Sequence, residues 1–225
     1  MEIGVLTGLV READCFNALD SALRPLVLCS AARPHLAREA ASVLVSKGCR
    51  GLVSFGMAGG LDPALKTGSL VVPDAVIAPG GRRYPTDAAW LNGLKKSLSP
   101  DVAVHGGAVM GSEAAVTSPA AKRELFKSTG ALAVDMESHI VAAAAARANL
   151  PFIVVRAVSD DANGSVPDWV LGCIDEDGRP LALAIAAGAA VRFWQIPDLI
   201  ALGRGAGKAL AVLRRVASVP GLGFG

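Results

Sequence analysis

Phe152-Ile153-Val154-Val155-Arg156-Ala157-Val158-Ser159-Asp160-Asp161 is a short apolar run that carries one arginine within it and two carboxylates at its end. Its β-branched content, its length and the Pro151 in front of it predict a strand over 152–158 that is buried on both faces, as in a parallel sheet. In an open α/β sheet the carboxyl ends of the strands line the ligand crevice, so Arg156, Ser159 and Asp160 are placed where chemistry is done. Val134-Asp135-Met136-Glu137 just upstream adds two further carboxylates.

Working outward in both directions, the same alternation recurs. Strands are expected over 3–7, 26–30, 51–56, 102–110 and 131–135, and helices over about 11–23, 34–48, 87–98, 118–128, 136–148 and 180–194. This βαβ rhythm implies one α/β domain over 1–195, a three-layer α/β/α arrangement around a mostly parallel, mixed central sheet. Gly56-Met57-Ala58-Gly59-Gly60 is expected as a glycine turn, and Pro79–Pro85 as a mobile loop. From 196 onward Leu199, Ile200, Leu202, Ala206, Leu210, Leu213 and Val216 recur near helical spacing with Arg204, Lys208, Arg214 and Arg215 between them. Such a C-terminal amphipathic helix, followed by a frayed tail over 220–225, suits an acidic membrane surface, a neighbouring subunit or its own domain equally.

Bulk composition narrows the function classes. With 52% hydrophobic residues in 225, the chain can bury a sizeable core. Its 22 basic and 20 acidic residues leave a formal charge of +2, without the broad basic field that holds nucleic acid, so none is expected as a partner. Cys15, Cys29, Cys49 and Cys173 are scattered without CxxC spacing and read as small core residues in a reducing compartment. His35, His105 and His139 share no metal-ligand spacing with them, and no metal or organic cofactor is expected. The first residues open directly on a strand without the features of a secretory signal, which predicts a cytoplasmic protein, with peripheral contact at the inner face of the membrane through 196–217 as a further expectation. The apolar stretches Ile140–Ala146 and Leu181–Val191 are too short to span a bilayer and are expected to be buried helices.

Three strand ends converge if the sheet is parallel: Gly8-Leu9-Val10-Arg11-Glu12, the Gly56–Gly60 segment, and Arg156 with Ser159 and Asp160. The pieces MEIGVLTGLVREAD at the N-terminus, FGMAGGLDPALKTGSLVVPD from 55 to 74, AVDMESHIVAAAA from 133 to 145 and PFIVVRAVSDDA from 151 to 162 resemble, in that order, the nucleoside phosphorylase and nucleosidase family. That family includes purine nucleoside phosphorylase, uridine phosphorylase and methylthioadenosine/adenosylhomocysteine nucleosidase. The resemblance implies cleavage of the N-glycosidic bond of a purine nucleoside, with inorganic phosphate or water as co-substrate and at least a homodimer as the assembly.

Carried over by position, Glu137 would bind the ribose hydroxyls with Met136 packing on the sugar, and Asp160 would protonate the departing purine. Glu12 would activate water, with Arg156 beside the water or phosphate. A carboxylate accepts two hydroxyl donors at once, and a general acid removes the difficulty of expelling a purine anion. The plainer accounts are a first-turn carboxylate for Glu137 and a loop or cap carboxylate for Asp160. Gly8, Arg11 and Arg156 form the expected phosphate or water side, and Met57, Ala58, Gly59, Ala114 and Ala115 complete the substrate contacts. Arg33, a further cation near that side, reads with Arg11 as a solvated surface residue.

Three positions depart from the family pattern. Met57 stands where many members have Ser or Thr, Ser54 where the phosphorylases have arginine, and Ala114 where an aromatic stacks on the base. These departures, with SFGMAGGLDP and the apolar, basic C-terminus, resemble the hopanoid-associated phosphorylases, which implies phosphorolysis of a lipid-linked nucleoside such as adenosylhopane with release of adenine. The alternatives are a hydrolytic nucleosidase acting on methylthioadenosine or adenosylhomocysteine, favoured by Glu12 and the missing phosphate contacts, and a non-catalytic nucleoside- or lipid-binding protein.

Overall fold

The computed structural model describes residues 2–100, 102–219 and 222. Along the chain run β1 (Ile3–Thr7), α1 (Val10–Ala13), β2 (Leu26–Cys29), α2 (Pro34–Ser46), β3 (Gly51–Gly60), β4 (Leu70–Val71), β5 (Ala75–Ile77) and β6 (Arg83–Pro85). They are followed by α3 (Ala88–Ser97), β7 (Val104–His105), β8 (Ala108–Gly111), α4 (Pro119–Thr129), β9 (Ala133–Asp135), α5 (Ser138–Ala148) and β10 (Phe152–Asp160). Helices α6 (Asp168–Leu171), α7 (Ala182–Val191) and α8 (Ile196–Ala217) close the order.

The strands form one sheet with β2, β1, β3 and β10 parallel at its centre. Alternation along these strands splits the core between two helical layers. Val5, Val53, Ile153 and Val155 pack with Phe16, Leu91, Leu94, Leu210 and Leu213 under α3 and α8. Leu6, Leu52, Phe152 and Val154 pack with Ala37, Leu44, Ile140 and Val141 under α2 and α5. The three-layer α/β/α architecture follows from strands that are apolar on both faces.

Two irregularities shape the ends of the central strands. Strand β3 outruns its parallel partner β1, and its last residues turn to pair antiparallel with β9 at Gly59↔Val134 and Gly60↔Ala133. The expected glycine turn over 56–60 is therefore strand, because its small residues allow the close approaches described below. In β10 the register with β3 shifts between Val158 and Asp160, a bulge that leaves Ser159 outside the pairing and re-aims the strand end.

Several expected elements change. The helix expected over 11–23 is only α1 followed by a 3₁₀ turn at Asp14–Phe16, since Phe16 leaves the helical path to meet Phe55 at 4.8 Å between ring centroids. The strand expected over 102–110 is split into β7 and β8 by Gly106 and Gly107, the latter at φ 116. Part of the Pro79–Pro85 segment is β6, paired antiparallel with β5. Helix α8 buries Ala209, Leu210, Leu213, Val216 and Ala217 in the core, so the inner side of 196–217 is occupied by its own domain. The expected burial of Leu181–Val191 is overturned: α7 has no buried residue, and Leu183 is 88% exposed. No single described helix is long and apolar enough to cross a membrane. The tail over 220–225 lies outside the described residues apart from Leu222, which is buried.

Candidate active site

Arg156 lies in the middle of β10, on the face that meets the start of α5, and is wholly buried. A buried guanidinium needs acceptors for its fork of donors. Nε donates to Asp135 Oδ2 at 3.0 Å, and Nη2 donates to Ser54 Oγ at 2.6 Å, Ser138 Oγ at 3.2 Å and Glu137 Oε2 at 3.3 Å. Burial lowers the Arg156 pKa, but Asp135, Glu137 and Glu12 together outweigh it and leave a net rise.

Asp135 frees Glu137 for other work. Its Oδ1 accepts from the backbone N–H of Glu137 at 2.8 Å and of Ser138 at 2.6 Å, which is the capping task at the start of α5. Glu137 itself makes no side-chain cap, so the first-turn account does not explain its orientation. Burial, opposed by Arg156 and reinforced by Asp135 and Glu12, pushes its carboxyl up to about 7.

Glu12 closes the other side. Its Oε2 accepts from Gly8 N at 2.8 Å and Leu9 N at 2.9 Å, and its Oε1 accepts from Met57 N at 2.7 Å. The Leu9 bond is what a glutamate at the third position of a helix commonly does, but the bond to β3 is not. Burial outweighs Arg156 and these three donors and raises the Glu12 pKa. Two glycines make the approach possible. A Cβ on Gly56 would lie 2.7 Å from both Arg156 Nη1 and the Glu12 carboxyl, and one on Gly8 would lie 2.9 Å from Glu137 Oε1. Glu12, Glu137 and Arg156 thus meet around two positions without side chains.

Asp160 stands apart, at the bulged end of β10. Ser159 Oγ donates to its Oδ1 at 2.7 Å, and the ammonium of Lys122 donates to its Oδ2. Lys122 comes from α4, is wholly buried, and also donates to the carbonyls of Asp161 at 2.9 Å and Gly164 at 2.8 Å. Burial raises the Asp160 pKa, Lys122 and Ser159 oppose it, and Asp161 adds a small rise. Gly59 lies beneath: a Cβ there would be 3.3 Å from Asp160 Oδ2.

Of the other residues singled out in the sequence, Met57 and Met136 are half-buried and Ala58 is buried, its carbonyl 3.3 Å from Ser159 Oγ, whose one proton goes to the shorter Asp160 contact. Ala114 is exposed and Ala115 half-buried on the loop after β8, where Glu113 pairs with Arg38 and with His139 Nε2 at 3.2 Å. Arg11 is exposed on α1. Lys122 and Ser138 were not singled out in the sequence, and Ser54 and Asp135 were noted without a role. Asp135 and Ser138 carry the signal of an acidic residue three positions before a helix start, whereas a lysine within PAAKRELFKST gives none.

A profile of the phosphorylase superfamily matches residues 24–177. The chain belongs to that superfamily. The 5′-methylthioadenosine/S-adenosylhomocysteine nucleosidases of Mycobacterium bovis and Mycobacterium tuberculosis are each 28% identical to it over 152 residues, which cover 50% of this chain and 60% of theirs. Less than two thirds of their length is therefore matched. Among solved structures, the Neisseria meningitidis 5′-methylthioadenosine/S-adenosylhomocysteine nucleosidase superposes with a TM-score of 0.71 at 17% identity, over 96% of both chains. Futalosine hydrolase of Helicobacter pylori gives 0.70 at 16% identity, over 96% of this chain and 97% of its own. These superpositions show that this superfamily member shares the fold of those proteins over 96% of its length.

Proposed function

We propose that the chain hydrolyses the N-glycosidic bond of a purine nucleoside, with water as the nucleophile. The observation that carries this reading is the occupancy of Glu12. Phosphate needs N–H donors or a free cation on the nucleophile side, but the N–H groups of Gly8, Leu9 and Met57 point to Glu12, and Nε and Nη2 of Arg156 are engaged by Asp135, Ser54, Ser138 and Glu137, leaving only Nη1, 3.5 Å from the Met57 carbonyl. A carboxylate has about four acceptor positions, so three donors leave one for the O–H of an attacking water.

The steps follow from placement. Asp160 protonates the purine as the bond from the sugar stretches and its electrons pass to the base. Glu137 accepts from the ribose hydroxyls, and these bonds strengthen as positive charge grows on the sugar. Water adds to the oxocarbenium-like sugar and yields its proton to Glu12. The products are free base and free sugar. The phosphorolysis implied by the subgroup resemblance is the weaker reading on these contacts.

The test uses adenosine, 5′-methylthioadenosine and inosine with and without inorganic phosphate, identifying the sugar product. Free sugar at an undiminished rate without phosphate is expected. Strict dependence on phosphate with a sugar 1-phosphate product overturns hydrolysis, and absence of turnover in both arms supports a binding protein.

A second reading concerns the 5′ substituent. The 175–180 turn lies on the Gly8 loop: Val10 N donates to Gly178 O at 3.4 Å, and Gly178 adopts φ 87, a conformation that favours glycine. From that turn leads α7, followed by Phe193 and Trp194, which are 68% and 63% exposed, with Arg179 and Arg192 near its two ends. Apolar and aromatic side chains beside arginines suit the interface of an anionic bilayer, which favours a substrate with an apolar 5′ group and moves the expected contact from 196–217 to 181–200. Full-length protein should co-sediment with phosphatidylglycerol vesicles, and a Leu183→Ser, Phe193→Ser, Trp194→Ser variant should not. Equal sedimentation of the two removes the idea.

A further inference from the structure

We propose that Lys122 is the positioning residue of the base side, holding Asp160 in place and neutralising the charge that Asp160 acquires when it gives its proton to the departing purine. This inference rests on the hydrolytic reading above only in taking Asp160 as the acid.

The geometry is restrictive. An ammonium has three donors, and all three are used: Asp160 Oδ2, the Asp161 carbonyl and the Gly164 carbonyl. With its head held by three acceptors from one strand end and loop, and its stem fully buried, Lys122 has little freedom to turn away. Asp160 is steered in turn. Oδ2 faces Lys122 and Oδ1 accepts from Ser159, so an acidic proton sits on the Oδ1 side, away from the ammonium. The charged and titratable groups facing Asp160 are Lys122 from α4 and Asp161 from the segment after β10.

Lys122 does more here than tie α4 to the 160–164 loop. A neutral carboxylic acid in an apolar setting is a reluctant donor, because the carboxylate it leaves is unpaired in low dielectric. In the proposed step the O–H bond of Asp160 breaks as the purine N–H bond forms and the electron pair of the glycosidic bond enters the base. The carboxylate produced then lies against a fixed ammonium. Lys122 therefore makes the proton transfer easier and lowers the pH at which Asp160 loses its proton.

Lys122→Met keeps the apolar stem and removes the charge. In protein carrying ¹³C-labelled aspartate carboxyls, with the Asp160 signal assigned by its loss in Asp160→Asn, the Asp160 titration should move up by about one pH unit or more in Lys122→Met. Turnover of 5′-methylthioadenosine should fall about 10- to 100-fold, its alkaline limb should shift to higher pH, and Lys122→Arg should restore the titration and most of the rate. An Asp160 titration unmoved in folded Lys122→Met overturns the proposal and makes Lys122 a purely structural tie. If Lys122→Met does not fold, the titration of Lys122→Gln is read by the same criterion. Full activity in Asp160→Asn instead refutes Asp160 as the acid, whatever Lys122 does to its titration.

Discussion

The cluster around Arg156, proposed to face the sugar, and the one around Asp160, proposed to face the base, are built differently. Around the sugar side, Arg156, Asp135, Ser138, Ser54 and Glu137 interlock between the central strands and the start of α5, with side-chain exposures of 0%, 1% and 6% for Arg156, Asp135 and Glu137. The base side hangs on one buried lysine, one bulge and the loop after β10. Removing Arg156 leaves several buried carboxylates without their cation, whereas removing Lys122 leaves one, at a strand end next to a loop. The two clusters thus differ in how many buried charges depend on a single residue.

The sharpest way to break that contrast is to cut one residue from each side. Arg156→Met strands two buried carboxylates and should lower unfolding free energy by about 3–5 kcal/mol. Lys122→Met strands Asp160, which at 11% side-chain exposure can bind a proton and stay folded, and should lose clearly less. Denaturant unfolding of both variants measures the difference. A Lys122→Met loss equal to that of Arg156→Met would erase the distinction.

The pH dependence sharpens it next. Glu137 is pushed from 4.5 to about 7 in the folded protein, so the native state holds a proton there that the unfolded chain has released. Stability from this group is full below about pH 4.5 and is lost as pH rises through about 7, on the order of 3 kcal/mol in total. Glu12 and Asp160, both raised by burial, contribute with the same sign. Chemical unfolding from pH 5 to 7.5 should show this decline, and Glu137→Gln should flatten it; an unchanged slope in the variant would show that Glu137 is not the group responsible.

The sheet was legible in the chain because strands buried on both faces are contiguous apolar runs, and 152–158 shows this most clearly. That Glu12, the Gly56–Gly60 segment and Arg156 meet was legible for a related reason, since parallel strands bring distant C-terminal ends to one edge, whereas Glu137 was reached only through the family resemblance. What could not be read was pairing across long separations without periodicity. Lys122 meets Asp160 over 38 positions from a helix whose sequence carries no sign of an inward-facing lysine. The exposure of α7 was misread because ten residues without a charge look like core, whereas their burial depends on whether another layer covers them.

The smallest expected effect separates the two sides through single methyl groups. Gly56→Ala would place a Cβ 2.7 Å from Arg156 Nη1 and from the Glu12 carboxyl, neither of which can move without breaking bonds to its neighbours. Overpacking of this kind costs about 1–3 kcal/mol, and here it should also displace Glu12 from Met57 N. Gly59→Ala would place its Cβ 3.3 Å from Asp160 Oδ2, a contact relieved by a few tenths of an ångström at a strand end next to a loop, and should cost less than about 1 kcal/mol. Thermal melts of the two variants give the ranking. Equal losses would mean that the base side is as unyielding as the sugar side, and that the bulge at Ser159 stiffens the end of β10 instead of freeing it.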